Sequence, residues 1–449
     1  MEMFGSFPNG FVTRLTNRML KLLTFCLLVA VPAQSLDHTH FIDLNKQASA
    51  FSKQQDWKSL REVLVEIGQE MPTATPNYML RMASVETRLG HTAEALTWMQ
   101  RYAATGLNYD VTKDDDLKPL ATDKSFQPIA AQMQARSKLI SHAELACALP
   151  IPDLMPEDLT YDPVSGTFVV SSIQRHTLYR VSLPESGSST DCKIKEIPLE
   201  ESARHWIVMA VSYDAKRNLL WTTTSAIEGF PGISKEDAGK AALLALDPTS
   251  GKLSKRFDVE TNGPAILGDM SVTPDGTVYF TDSLGGGVYR VRGDLRTATV
   301  DKIAGGLFSP QTPVLARDGK RLFVADYPMG IAVINLASGK VDYLPHPEEM
   351  AVTGLDGLYL ADDTLIGVQN GTDPERIVRL RLSHDQTAIV SLQVVEQASP
   401  RLGEPTHAVK ANGMIYVTGN VGWGKIDDHG KLKPGEQFTN PILLRFSVD

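Results

Sequence analysis

Residues 268–283 read GDMSVTPDGTVYFTDS: a short apolar strand, a tight turn anchored on Asp275, and a second strand that ends in small and polar residues. The same unit recurs as EDLTYDPVSGTFVVSS (157–172), MAVSYDAKRNLLWTTTS (209–225), PVLARDGKRLFVADY (313–327), DGLYLADDTLIGVQNG (356–371) and HAVKANGMIYVTGN (407–420). Its turn anchors, Asp162, Asp214, Asp275, Asp318, Asp362 and Asn412, recur at the roughly 45 to 60 residues expected of four-stranded blades. A third strand follows each unit, as in TLYRVSL, AALLALDP, GVYRVRG, GIAVINLASG, RIVRLRL and ILLRFSVD. The pattern predicts a mainly β protein, a six-bladed β-propeller over 141–449. The last unit stops at Asp449 without a fourth strand, and AELACALPI (143–151) is expected to supply it, closing the ring and removing an exposed edge.

Upstream the period changes from two to between three and four, so residues 36–140 are expected to form a small all-α domain. QQDWKSLREVL and RLGHTAEALTWM repeat a turn-then-helix pattern with an offset of roughly 35 residues, close to the tetratricopeptide period. DLKPLATDKSFQPIAAQM is expected to be a capping helix, and Asp114, Asp115 and Asp116 a solvated acidic turn.

Residues 1–35 read as a secretory signal: Arg14, Arg18 and Lys21 precede the apolar run LLTFCLLVAV, and Val31-Pro32-Ala33 offers small residues for cleavage. Either Met1 or Met19 serves as a start for such a signal. The expected destination is the periplasm or the extracellular space, with no transmembrane segment left after cleavage. Loss of that segment takes the formal net charge from −9 to −11, and no long Lys or Arg run exists, so nucleic acid is not an expected partner. Cys26 lies in the signal, while Cys147 and Cys192 remain in an oxidising compartment, where they either pair or stay as separate buried thiols.

If each blade's first strand starts on the rim to which the second returns, one face collects the starts of the first strands and the loops after the second. The starts contribute Glu157, Trp206, Asp269, Gln311, Asp356 and Glu404. The loops contribute Arg175, His176, Asp282, Asp326, Asn370 and Asn420, and the two long ones carry Phe230 and Trp423 as candidate covers for a ligand. Several carboxylates meeting on an axis must be protonated, kept apart by water or neutralised, and an oxygen-rich set of Glu, Asp, Gln and Asn suits Ca²⁺ or another hard divalent cation. No His or Cys cluster has zinc spacing. SLGGGVYR joins two strands and is read as a hairpin, not a phosphate cradle, and His176, His205 and His407 are each open to a role as general base or as surface or packing histidines.

PEDLTYDPVSGTFVVSS, DMSVTPDGTVYFTDS and GLDGLYLADDTLIGVQNG resemble the superfamily of gluconolactonase, senescence marker protein and luciferin-regenerating enzyme, over about residues 145 to 449. That resemblance implies a six-bladed propeller, and for several members a lactone hydrolase with a divalent metal in the central channel. Carried over, the first-blade glutamate falls on Glu157 and the aspartate of the Asp-Gly motif on Asp356, while the two asparagine ligands fall on Gly268, with Asp269 beside it, and on Gln311.

The combined expectation is a metal held by Glu157, Asp269, Gln311 and Asp356, with Asp356 or Asp282 activating water against a lactone or related ester. Arg175, His176, Asp326, Asn370, Glu404 and Asn420 are the expected contacts to a small-molecule substrate. The alternative is a non-catalytic module whose rim and helical repeats bind a protein, peptide or glycan.

Overall fold

Apolar residues spaced by three and four build the first helices, and side-chain caps fix where they start. The computed structural model describes residues 38–185, 190–200 and 206–448, so the signal sequence with Met1, Met19 and Cys26, and also His205, lie outside the described residues. Helices α1 (His38–Gln54), α2 (Trp57–Glu70), α3 (Pro76–Arg88) and α4 (Thr92–Ala104) follow one another. Asp56 accepts the Ser59 amide ahead of α2, and Thr75 accepts the Tyr78 amide ahead of α3, which Pro76 opens. Leu60, Leu64 and Ile67 form the buried stripe of α2. Gln55 and Gly90, paired by the repeat, both turn the chain with positive φ, 57° and 77°.

The expected capping helix is split. Residues 118–122 make a 3₁₀ turn and only α5 (Gln127–Arg136) is α-helical, because Pro119 and Pro128 each open a separate segment. Asp114 caps the amides of Asp116 and Leu117, and Asp116 pairs with Arg88, so the acidic turn is structural.

Downstream, six antiparallel sheets form the ring. Blades 1 to 5 take their inner strands from Leu159–Asp162, Ile207–Asp214, Met270–Val272, Pro310–Leu315 and Leu355–Ala361, and blade 6 takes its own from Ala408–Ala411. Each of the six expected turns is present. Asp162, Asp214 and Asp318 accept amides two and three residues on, and Asp362 and Asn412 turn with positive φ in the tightest hairpins. Glu144–Ala148 is the outer strand of blade 6, pairing with Ile442–Ser447, so the chain closes the ring with its own upstream strand. Cys147 on that strand is disulfide-bonded to Cys192 at the edge of blade 1, bridging 45 residues across the seam. In the chain-entropy picture such a loop contributes about 4 kcal/mol.

Residues 36–449 form one compact unit, and the helices rest on the rim where inner strands begin. Phe41 meets Phe308 edge to face, Thr73 Oγ1 donates to the His346 carbonyl (2.8 Å), and Arg101 forks onto Glu348 at 2.5 and 2.6 Å. The Asn108 amide donates to the Asp373 carbonyl at 2.6 Å. These partners lie on loops of blades 4 and 5. Among the described residues no helix is long and apolar enough to cross a membrane.

Candidate functional site

Successive residues at the start of the first strands, or just before them, form two layers. The upper layer is Glu157, Met209, Gly268, Gln311 and Asp356, which line one cavity, and the lower is Asp158, Asp269, Thr312 and His407, which neighbour one another. In three blades the pairing register shifts across these positions, between Val208 and Val211, Pro310 and Pro313, and Leu355 and Leu358. Such bulges re-aim side chains that a regular strand would point elsewhere. Gly357 explains the Asp-Gly pair: a Cβ there would stand 2.4 Å from the Thr406 carbonyl oxygen, so only glycine admits the neighbouring chain this close.

The upper layer floors a cavity of about 350 Å³, walled also by Ser283, Ser309, Tyr327, Asn370, Glu404 and Trp423. Glu157 and Asp356 are 7% and 8% exposed. Each is held by one neutral donor: Trp423 Nε1 donates to Glu157 Oε2 (2.5 Å) and Asn370 Nδ2 donates to Asp356 Oδ2 (2.5 Å). Tyr327 in turn donates to Asn370 Oδ1 at 2.8 Å. Among the described residues no Lys, Arg or His lines this cavity. Burial first, then the neighbouring Asp356, raises the Glu157 carboxyl well above the usual range. Burial and the nearby Asp269 raise Asp356 to about 7. The Tyr327 phenol is pushed up by burial and by the surrounding carboxylates of Asp356, Glu375 and Glu404.

The lower layer is arranged differently. His407 Nε2 stands 2.8 Å from Asp269 Oδ1, an ion pair without a well-aligned hydrogen bond, and 3.0 Å from Thr312 Oγ1. Its Nδ1 lies 2.9 Å from the Glu157 carbonyl oxygen. Burial opposes charge on this imidazole, but Asp269 and Asp158 outweigh it and raise its pKa well above the usual value. Asp158, raised to about 6 by burial, accepts the Leu159 and Val211 amides. Asp158, Thr312 and His407 line a second hollow, of about 400 Å³, in which none of the upper-layer residues takes part.

Of the expected contacts, Glu404 and Asn370 line the cavity and the others do not. Asp282 Oδ1 accepts the amides of Ile266, Leu284 and Gly285, and Asp326 accepts those of Phe308 and Ser309 together with the Tyr343 hydroxyl. Both end a second strand and fasten the residues that lead into the first, Asp282 also holding the loop beyond it, and Asp282 is buried and does not line the cavity. Arg175 pairs with Asp153 at 2.7 Å, His176 turns the chain with φ of 50°, and Asn420 ties down its long loop through Thr439 and Asn440. Trp206 lies under the Arg256 guanidinium outside the cavity, and Phe230 packs in a small cluster with Met155 and Ile426. His407, open to a general-base role on sequence, lies beneath the cavity.

Of the four expected metal ligands, Glu157, Gln311 and Asp356 line the cavity and Asp269 does not. Glu157 and Asp356 share the cavity, and Glu157 Oε1 and Asp356 Oδ1 take no hydrogen bond from a described residue. Gln311 Oε1 lies 3.3 Å from where a Cβ on Gly268 would stand, so this amide fills the space that residue 268 leaves open. Asp269 is turned to His407 and Thr312 instead. Among the described residues no three His, Cys, Asp or Glu side chains cluster closely enough to hold a metal by themselves.

No protein-family model and no curated protein sequence matches the chain. Solved structures do. A virginiamycin B lyase from Staphylococcus aureus is 16% identical, with a TM-score of 0.41, covering 62% of this chain and 81% of that one. A luciferin-regenerating enzyme is 13% identical, with a TM-score of 0.43 and coverage of 68% and 92%. A gluconolactonase from Xanthomonas campestris is 13% identical, with a TM-score of 0.40 and coverage of 68% and 88%. The β-propeller fold itself is read from this chain's own six antiparallel sheets.

Proposed function

We propose that the cavity is a hydrolytic site for a lactone or related ester, and that Glu157, Asp356 and Gln311 hold Ca²⁺ or another divalent cation in it. The observation that carries this reading is the pair of buried acids, Glu157 and Asp356, in a cavity lined by no basic side chain among the described residues. A divalent ion would relieve their repulsion and would supply Lewis-acid polarisation of the substrate carbonyl.

The remaining work falls to the chain's own groups. Asn370, braced by Tyr327, fixes one oxygen of Asp356 and leaves the other free to take a proton from water. The water oxygen bonds to the carbonyl carbon, the ring C–O bond breaks, and the leaving oxygen recovers the proton from Asp356. Trp423 holds Glu157 and walls the cavity, and Glu404 offers an acceptor to substrate hydroxyls at the mouth. Action outside the cytoplasm belongs to the same proposal, supported by the Cys147–Cys192 disulfide.

The test is hydrolysis of a panel of neutral lactones by the purified protein, with chelator and after Ca²⁺ is restored. Loss of activity in chelator and its return support the reading. Inactivity on every lactone, with no divalent ion by elemental analysis, removes it. A second reading, non-catalytic binding of a peptide or glycan, draws on the helices packed on the same rim. Retention of a ligand from the exported fraction by protein that hydrolyses nothing would favour it.

A further inference from the structure

The buried histidine beneath the cavity is not used by the hydrolytic chemistry, and its contacts reach further than a packing residue needs. We propose that His407 is the positioning residue for the two cavity acids, acting on Glu157 directly and on Asp356 through Thr312. The catalytic part of this claim rests on the hydrolase reading, whereas the positional part does not.

Hydrogen-bond capacity defines the state of the ring. Nδ1 lies 2.9 Å from the carbonyl oxygen of Glu157, which can only accept, so Nδ1 carries a hydrogen. Nε2 lies 2.8 Å from a carboxylate oxygen of Asp269 and 3.0 Å from the Thr312 hydroxyl. His407 therefore ties the backbone of Glu157 to Asp269 and Thr312 through its two ring nitrogens. Thr312 Oγ1 completes the arrangement, 2.9 Å from Asp269 Oδ2 and 2.9 Å from the Asp356 carbonyl oxygen.

Followed outward, the contacts join every blade. His407 of blade 6 reaches blade 1 at Glu157 and blade 3 at Asp269; Thr312 of blade 4 reaches blade 5 at Asp356. Asp158, adjacent to Glu157, accepts the Val211 amide of blade 2 at 2.8 Å. A shift of the His407 ring moves the backbone that carries Glu157, and loss of the Thr312 hydroxyl frees the backbone that carries Asp356. A 1 Å misplacement of reacting groups costs rate far more than it costs binding.

The experiment uses the full protein with His407→Gln, Thr312→Val and Thr312→Ser. It reads lactone hydrolysis and the indole N–H resonance of Trp423, assigned with Trp423→Phe, because that indole donates to Glu157 and reports its place. Expected are a fall in kcat of about 100-fold for His407→Gln and about tenfold for Thr312→Val, each with KM within about threefold of the parent and a displaced indole signal. Thr312→Ser, which keeps the hydroxyl, should return both readouts to the parent. An unmoved indole signal in both His407→Gln and Thr312→Val overturns the proposal, as does an unchanged kcat in an active enzyme. A displaced signal in protein that never hydrolyses a lactone supports positioning and removes the hydrolase reading. If His407→Gln does not fold, Thr312→Val decides alone.

Discussion

Two layers of acids lie one residue apart in the propeller, and they have met the same electrostatic problem in different ways. The lower layer carries its own cation: Asp269 and Asp158 surround His407, and the three leave little of their side chains exposed. The upper layer has none, and Glu157 and Asp356 are held only by a neutral indole and a neutral amide. Buried like charges without a partner are costly and persist where function needs them. The lower layer is therefore read as architecture and the upper layer as the place where a cation and a substrate enter.

The largest effect expected from this contrast is in the upper layer. Glu157→Gln and Asp356→Asn should each lower kcat/KM on an accepted lactone by about 1,000-fold, roughly 4 kcal/mol of transition-state stabilisation. Steady-state kinetics at saturating Ca²⁺ reads this, and a loss below tenfold would break the division between the layers.

Next comes the lower layer, where stability and not rate should respond first. Asp269→Asn leaves the His407 imidazolium buried without its partner, and urea unfolding should show a loss of about 3 to 5 kcal/mol. In the upper layer, Asp356→Asn should have the opposite sign in metal-free protein. Its carboxyl, raised to about 7 in the fold from roughly 3.9 in the unfolded chain, favours folding when protonated. That contribution is fully present below about 4 and is lost as pH rises through about 7. The melting temperature in chelator should thus fall across that window for the parent and fall less for Asp356→Asn. Added Ca²⁺ should flatten the parent's profile.

The smallest expected effect concerns the indole. Trp423→Phe removes one hydrogen bond to Glu157 while keeping an aromatic wall, and should cost about tenfold in kcat/KM with an unchanged melting temperature.

Much of this architecture was legible in the chain. The turn anchors located all six blades, and the missing fourth strand of the last blade pointed to residues 143–151, where the closing strand lies. Glu157 and Asp356 meet in one cavity because each stands at the same place in its repeat. Asp282 and Asp326 were not separable from rim acids by composition, since whether a strand-end aspartate faces the axis or its own loop amides depends on local backbone direction. Trp423 was visible as a loop aromatic, but its bond to Glu157, 266 residues away, depends on how residues 420–441 fold back. Alignment of the six units would have revealed His407 one place beyond the cavity layer, level with Asp158, Asp269 and Thr312. The one-residue shifts at the bulges and the docking of the helices on blades 4 and 5 have no local signature.

The central claim, that the upper acids await a cation that the lower acids already possess, is tested most directly by calorimetric titration of Ca²⁺ into metal-free protein near neutral pH. The account predicts one bound ion per chain, with proton release because the raised acids must ionise, and loss of binding in Glu157→Gln and Asp356→Asn. Absence of binding by the parent, or equal binding by Glu157→Gln, would contradict it.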